Sequence, residues 1–239
     1  MHLKNKRILI KLTGEALSGE SKTSSLNAEQ LKLTAEQLIA AAKTGNQIAV
    51  VVGGGNILRG ATISKLQNFD RVGSDQMGML ATIINAIALK EAIRSLGHAA
   101  EVLSSIEMFK VCDVFTKTTA LKLLAEGNIL ILGGGTGNPF FTTDTTAALR
   151  ALELDADFIF KATKVDGIYN KDPKKHKDAV KYDELTYDRA IQENLEIMDQ
   201  TAFTMCREHR KEIIVFDFLE GSQLVQLLAG KKIGTRIHP

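Results

Sequence analysis

Short apolar runs alternate along the chain with longer stretches whose hydrophobic positions recur every three to four residues. The runs at 7–12, 47–52, 100–103, 128–132, 158–161 and 213–216 are rich in Val, Ile and Leu. Such runs fit strands buried on both faces. Between the first two, Leu31, Ala35, Leu38 and Ala42 keep helical spacing. Asn27 opens that segment with Gln30 in the capping-box position, and Gly45 closes it. Further helices are expected from about Asp75 to Leu96 before Gly97, over 117–126 before Gly127, and from Thr142 to just before Asp157. Strands alternating with helices of this length imply crossover connections and a mostly parallel sheet, hence an α/β fold.

Length and composition narrow this further. The 239 residues suit one large domain or two small ones. No repeat, low-complexity tract or linker divides them, so a single domain over 1–239 is expected. Lys and Arg number 30 against 28 Asp and Glu, a net charge of +2. That balance argues against electrostatic capture of nucleic acid. The polar stretch at 170–181 alternates lysines with Asp172 and Asp178 and reads as a solvated loop. Cys112 and Cys206 stand in no Cys-x-x-Cys or Cys/His cluster. Both are read as reduced, buried, small apolar residues. The N-terminal apolar run is shorter than a signal peptide's apolar core, and no uninterrupted run reaches the roughly 18 residues of a membrane span. A cytoplasmic protein with no membrane partner is expected.

The glycines change the picture. Eight of the nineteen fall in 53–60 and 133–137, each cluster directly after an apolar run. In an open α/β sheet, ligands bind outside the carboxyl ends of the strands. Glycine there admits close backbone approach, and exposed N–H groups with a following helix bind anions. Neither cluster is a familiar phosphate fingerprint. No G-x-x-x-x-G-K-[ST] occurs, and Leu58 and Asn138 stand where G-x-G-x-x-G needs its third glycine. Lys11-Leu12-Thr13-Gly14 ends the first run, and Arg59 follows the first glycine triplet. Two cations and two glycine turns make a clamp for a multiply charged phosphate. Phosphoryl transfer needs such positioning and charge neutralisation more than covalent chemistry. The five histidines lie outside these segments, consistent with a reaction that needs no general base. In 136–144, Thr142, Thr143 and Asp144 suit a helix cap. Capping leaves Asn138, Pro139, Phe140 and Phe141 unexplained at a strand end, where ring contact and hydrogen bonding to a small polar ligand explain them. Asp144 is placed to orient Lys11 or a magnesium-bound water.

The segments KLTGEAL at 11–17, VVGGGNILRG at 51–60, DQMGMLAT at 75–82, GTGNPFFTTD at 135–144, KATKVDGIYNKDP at 161–173 and MDQTAFTMCREH at 198–209 carry a resemblance. The chain resembles the bacterial uridylate (UMP) kinases of the amino acid kinase family along essentially its whole length. The resemblance implies a three-layer α/β/α sandwich around a mostly parallel sheet. It implies transfer of a phosphoryl group from ATP to UMP in pyrimidine nucleotide biosynthesis. Magnesium would be held by nucleotide phosphates and water rather than by protein side chains. Carried over by position, Lys11, Leu12, Thr13, Gly14, Gly55, Arg59, Thr163, Tyr169 and Asp172 fall at ATP. Gly54, Asp75, Thr136, Gly137, Asn138, Pro139, Phe140, Phe141, Thr142 and Thr143 fall at UMP. Lys11, Arg59 and Asp144 are the expected catalytic residues, and Asp199 matches a family aspartate near the sheet-edge lysines. A homohexamer inhibited by UTP is further implied. The aromatic and glycine pair associated in the family with GTP activation have no counterpart in SGESKTSSLNAEQL at 18–31, so GTP activation is not carried over. Acetylglutamate, carbamate and isopentenyl phosphate kinases share the lysine and glycine turns but differ in the substrate loop. A metal-storage protein of this fold also binds ATP, and the scattered histidines argue against that reading.

Overall fold

A computed structural model describes residues 3–19, 25–58, 69–219 and 221–239. Its first half runs β1 (Arg7–Leu12), α1 (Glu15–Ser18), α2 (Ala28–Ala42), β2 (Gln47–Val52), α3 (Arg71–Ser95), β3 (Ala100–Ser104), β4 (Asp113–Val114), α4 (Lys117–Ala125), β5 (Ile129–Gly133) and α5 (Thr143–Glu153). There follow β6 (Phe158–Thr163), β7 (Ile168–Tyr169), β8 (Lys181–Tyr182), β9 (Glu184–Thr186), α6 (Tyr187–Gln192), α7 (Gln200–Glu208), β10 (Glu212–Asp217), α8 (Gln223–Leu228) and β11 (Thr235–His238). Nine strands form one sheet in the order β4-β3-β5-β2-β1-β6-β10-β11-β9. Every neighbouring pair is parallel except β10 and β11. A separate antiparallel ribbon joins β7 to β8.

Strand alternation sorts the core into two layers. Ile8, Ile10 and Leu12 enter a cluster with Leu38 of α2, Leu89 of α3 and Leu227 of α8. Leu9 and Val51 face the other way, toward Leu124 of α4, Ala147 and Ala151 of α5 and Cys206 of α7. Helices therefore cover both faces of the sheet, the expected sandwich. Successive side chains point to opposite faces, so Lys11 shares the α5 and α7 side with Leu9 and stands where that side reaches the carboxyl edge.

Two expectations are corrected. Helix α3 starts at Arg71 rather than near Asp75, because the Asp70 side chain accepts from the N–H groups of Val72 at 3.1 Å and Gly73 at 3.3 Å. Asp75 thus sits one turn inside the helix. Cys206 is buried as expected, and burial, reinforced by Asp144, pushes its thiol up to about 12. Cys112 is only half-buried; it lies in the turn between β3 and β4, where Met108 and Cys112 form a lone bridge. Helix α3 is long and apolar enough to cross a bilayer, but its Ala86, Leu89 and Ile93 pack into the sheet core.

Candidate active site

β1 and β6 lie side by side in parallel register, with Lys11 opposite Lys161. Two lysines at this position would repel each other. Asp144, in the first turn of α5, lies between them: Lys11 Nζ is 3.0 Å from its Oδ1 and Lys161 Nζ is 2.6 Å from its Oδ2. All three side chains are nearly buried, at 10, 15 and 14% exposure. Burial by itself would raise the Asp144 carboxyl, but the Lys11 and Lys161 ammoniums outweigh it and hold the group below the usual carboxylate value. Burial lowers Lys161, partly offset by Asp144. Lys161 also donates to the Ile197 carbonyl at 2.6 Å. The result is a largely buried cluster of two lysines about one carboxylate at the carboxyl edge of the sheet, an environment in which charges act more strongly on a ligand than in water.

Asp199 anchors the helix that presents Asp144. It caps α7 by accepting from Ala202 N at 3.0 Å. Its carboxylate also accepts from the hydroxyls of Thr145, at 3.0 Å, and Thr142. Thr142 in turn caps α5, accepting from Thr145 N at 3.1 Å. Capping and ligand chemistry thus divide between neighbours: Thr142 ends the loop, and Asp144 pairs the lysines.

Residues of this turn line two clefts, Thr142 and Thr143 one and Asp144 the other. One, of about 290 Å³, lies between the glycine turn after β2, the start of α3 and the loop after β5. Gly54, Gly55, Asp75, Thr142 and Thr143 line it, and Asn138 and Phe141 close its far side. Asp75 is held by Arg71 Nε at 2.9 Å and accepts from Phe140 N at 2.7 Å. That contact steadies Phe140, whose φ of 72° is costly for a residue with a side chain. Phe140 and Phe141 stay 62 and 52% exposed, aromatic surface that no core contact explains. The second cleft, of about 710 Å³, is lined by Asp144, Lys161 and residues 194–200 before and at the start of α7.

Glycine 54 allows the first cleft to form: a Cβ there would lie 2.8 Å from the Gly78 carbonyl of α3. Behind it, the buried Asn85 amide donates to Gly53 O and to Asn56 Oδ1, both at 2.7 Å. Asn56 packs against Gly14, where a Cβ would meet its Oδ1 at 2.1 Å. One amide pair thereby ties the turn after β1 to the turn after β2.

Other expected residues are distributed as follows. Thr13 and Thr163 flank one small cavity. The Leu12 side chain is in the core. Thr136 and Asn138 form a tight turn, with Asn138 N donating to Thr136 Oγ1 at 3.2 Å; Gly137 and Pro139 complete that loop. Tyr169 and Asp172 lie on the excursion carried by β7 and β8. The Tyr169 hydroxyl donates to Asp166 at 2.8 Å, and Asp172 accepts from Lys174 N at 2.9 Å. Arg59 lies outside the described residues, as do 20–24 of the segment weighed for GTP. Asp199, matched from sequence to a family aspartate near the sheet-edge lysines, takes its place here as the cap that braces α5. Lys161, Arg71 and Asn85 join the site with no signal beyond occurrence inside or beside the quoted segments, since it is the strand order that brings them together.

The amino acid kinase family matches residues 6–217. The uridylate kinase of Xanthomonas axonopodis pv. citri (strain 306) is 48% identical over 236 residues, covering 99% of this chain and 98% of that protein. The uridylate kinase of Dichelobacter nodosus (strain VCS1703A) is 42% identical over 233 residues, covering 98 and 96%. Among solved structures, the UMP kinase from Bacillus anthracis superposes with a TM-score of 0.94 at 35% identity, over 98% of this chain and 96% of that one. With the fold, the charged sheet edge and relatives of this identity along its length, the chain belongs to the amino acid kinase family and, within it, to the uridylate kinases.

Proposed function

We propose that this protein transfers the γ-phosphoryl group of ATP to UMP, giving ADP and UDP, as a single domain spanning 1–239. The carrying observation is the buried Lys11–Asp144–Lys161 cluster at the carboxyl edge of the sheet, next in sequence to Thr142 and Thr143 of the smaller cleft. ATP is read as lying with its phosphates along Lys11–Gly14 and Gly55, with Arg59 beside them and Thr163, Tyr169 and Asp172 toward the nucleoside. UMP is read in the smaller cleft, its ribose facing Asp75 and its base the loop from Thr136 to Thr143.

A UMP phosphate oxygen attacks the γ-phosphorus in line. The new P–O bond forms as the bond to the β,γ-bridging oxygen breaks, and ADP leaves with that electron pair. The attacking phosphate is already anionic at neutral pH, so no protein nucleophile or general base is required. The chemical obstacle is repulsion between two polyanions. Lys11, Lys161, Arg59 and the glycine-turn N–H groups offset it, and Asp144 holds the lysines in place. Both Asp144 oxygens face lysines, so magnesium would enter with ATP, held by phosphate oxygens and water, and would supply further charge neutralisation there.

A homohexamer, inhibition by UTP and a cytoplasmic location belong to the same reading; GTP activation does not. The test is turnover with UMP, CMP and acetylglutamate as acceptors, repeated with UTP and GTP. UMP should be the preferred acceptor, and a preference for acetylglutamate would overturn the assignment. Lys11→Ala should lower kcat by about 100-fold or more, the scale for one preorganised charge stabiliser; near wild-type turnover would remove Lys11 from the mechanism.

A further inference from the structure

Arg150 is a buried charge that this mechanism does not use. It lies in the last turn of α5, on the helix that begins with Asp144, and its side chain is 7% exposed. Its guanidinium lies 3.9 Å from the centre of the Phe115 ring, pairs with Glu153, and donates from Nη2 to Ser105 Oγ at 2.8 Å. Ser105 Oγ donates to the Gly135 carbonyl at 2.6 Å. The Ser105 backbone touches the same turn twice more. Its N–H donates to Gly133 O at 3.1 Å, and a Cβ on Gly137 would lie 2.9 Å from its carbonyl.

Donor chemistry makes this chain directional. Arginine has donors only, so Ser105 must accept from it and turn its single hydroxyl hydrogen toward Gly135. The glycine turn is thereby fixed from behind by a charged group. Gly135 and Asn138 of that turn reach the smaller cleft. A buried charge is costly unless paired, and an apolar side chain would fill the space at less cost. Shape alone therefore does not account for an arginine here.

We propose that Arg150 is a positioning residue for the acceptor: acting through Ser105, it sets the 133–138 turn against which UMP binds. The proposal rests on reading the smaller cleft as the UMP site. It is tested on the full-length protein with Arg150→Met, Arg150→Lys, Ser105→Ala and the Arg150→Met/Ser105→Ala pair, measuring UMP and ATP affinity separately by calorimetry alongside steady-state KM values. Arg150→Met should weaken UMP on the order of 10-fold, the scale for a hydrogen bond to a charged group, and leave ATP within about 2-fold. Ser105→Ala should act in the same direction, and the pair should add little to Arg150→Met alone, because both break one relay. Arg150→Lys should restore part of the UMP affinity. Equal losses for UMP and ATP, or lowered thermal stability with UMP affinity intact, would overturn the proposal. Should Arg150→Met fail to fold, Ser105→Ala carries the same test with the arginine in place. A wild type that binds no UMP overturns the acceptor-site reading and this proposal with it; variants that bind UMP as the wild type does overturn this proposal alone.

Discussion

A carboxylate lies between two lysine side chains on neighbouring strands and offsets their mutual repulsion. Asp144 titrates below the usual carboxylate value, despite burial, because Lys11 and Lys161 flank it. A group with a depressed folded value contributes stability above its unfolded value, and that contribution is lost as pH falls through the folded one. The Asp144 contribution therefore holds through neutral pH and is lost in acid. At the alkaline end the group to watch is Lys161, which burial lowers below the ordinary lysine value of 10.5. Between its folded and unfolded values the folded protein binds fewer protons than the unfolded chain. In that window the group's stability term rises with pH while its catalytic charge disappears. A profile of kcat/KM from neutral to alkaline pH should fall before an ordinary lysine would titrate. Lys161→Arg, which stays charged, should move that limb upward and also remove the rise of the group's stability term with pH in the same window, read from the pH dependence of the thermal midpoint. A limb that stays in place would assign it to another group.

At the scale of elements, the site depends on how closely α3 approaches the turn after β2. A Cβ on Gly54 would meet the Gly78 carbonyl at 2.8 Å and the Ala81 Cβ at 3.0 Å, both on that helix. Gly54→Ala must push α3 outward, an overpacking cost of about 1–3 kcal/mol. Because α3 also carries Asp75, the UMP KM should rise several-fold while the ATP KM moves less. Unchanged stability and KM would show that the helix yields at no cost. This contact is also where the sequence stops being informative. β1 and β2 were legible because strands covered on both faces carry consecutive apolar residues, Ile8–Ile10 and Ile48–Val52. The start of α3 was not, because Arg71, Ser74 and Asp75 make its first turn polar. The strands β4, β7, β8, β9 and β11 have two to four residues each, too few to show a period. Lys11, Gly54 and Asp144 stood out by residue type and by their place after apolar runs. Lys161 did not, because only the adjacency of β1 and β6 sets it against Lys11, and Arg150 did not, because its partners Phe115 and Ser105 come from the far side of β5.

Taken as a whole, the molecule carries its functional charge locally. The net charge of +2 gives no long-range field for a polyanion, so affinity for phosphates must come from the buried cluster and the glycine turns. The outside of α3 carries an apolar pair in its middle: Leu80 and Ile84, one turn apart, are 44 and 49% exposed. The residues between them, Ala81, Thr82 and Ile83, are buried on the sheet side. A helix with an apolar stripe on its outer face has a ready surface for a second copy, and this supports the proposed six-chain assembly. Each fully buried Leu or Ile is worth about 1.5–3 kcal/mol, so replacing both with charge should dissociate any interface built on them. Light scattering after gel filtration should give a six-chain mass for the wild type and a smaller species for Leu80→Glu/Ile84→Glu. Met79 and Thr82 of the same helix line the smaller cleft, so loss of the outer support should also raise the UMP KM more than the ATP KM. A wild type that runs as a monomer would overturn the assembly. A double variant that keeps six chains would place the contact on another face of the molecule.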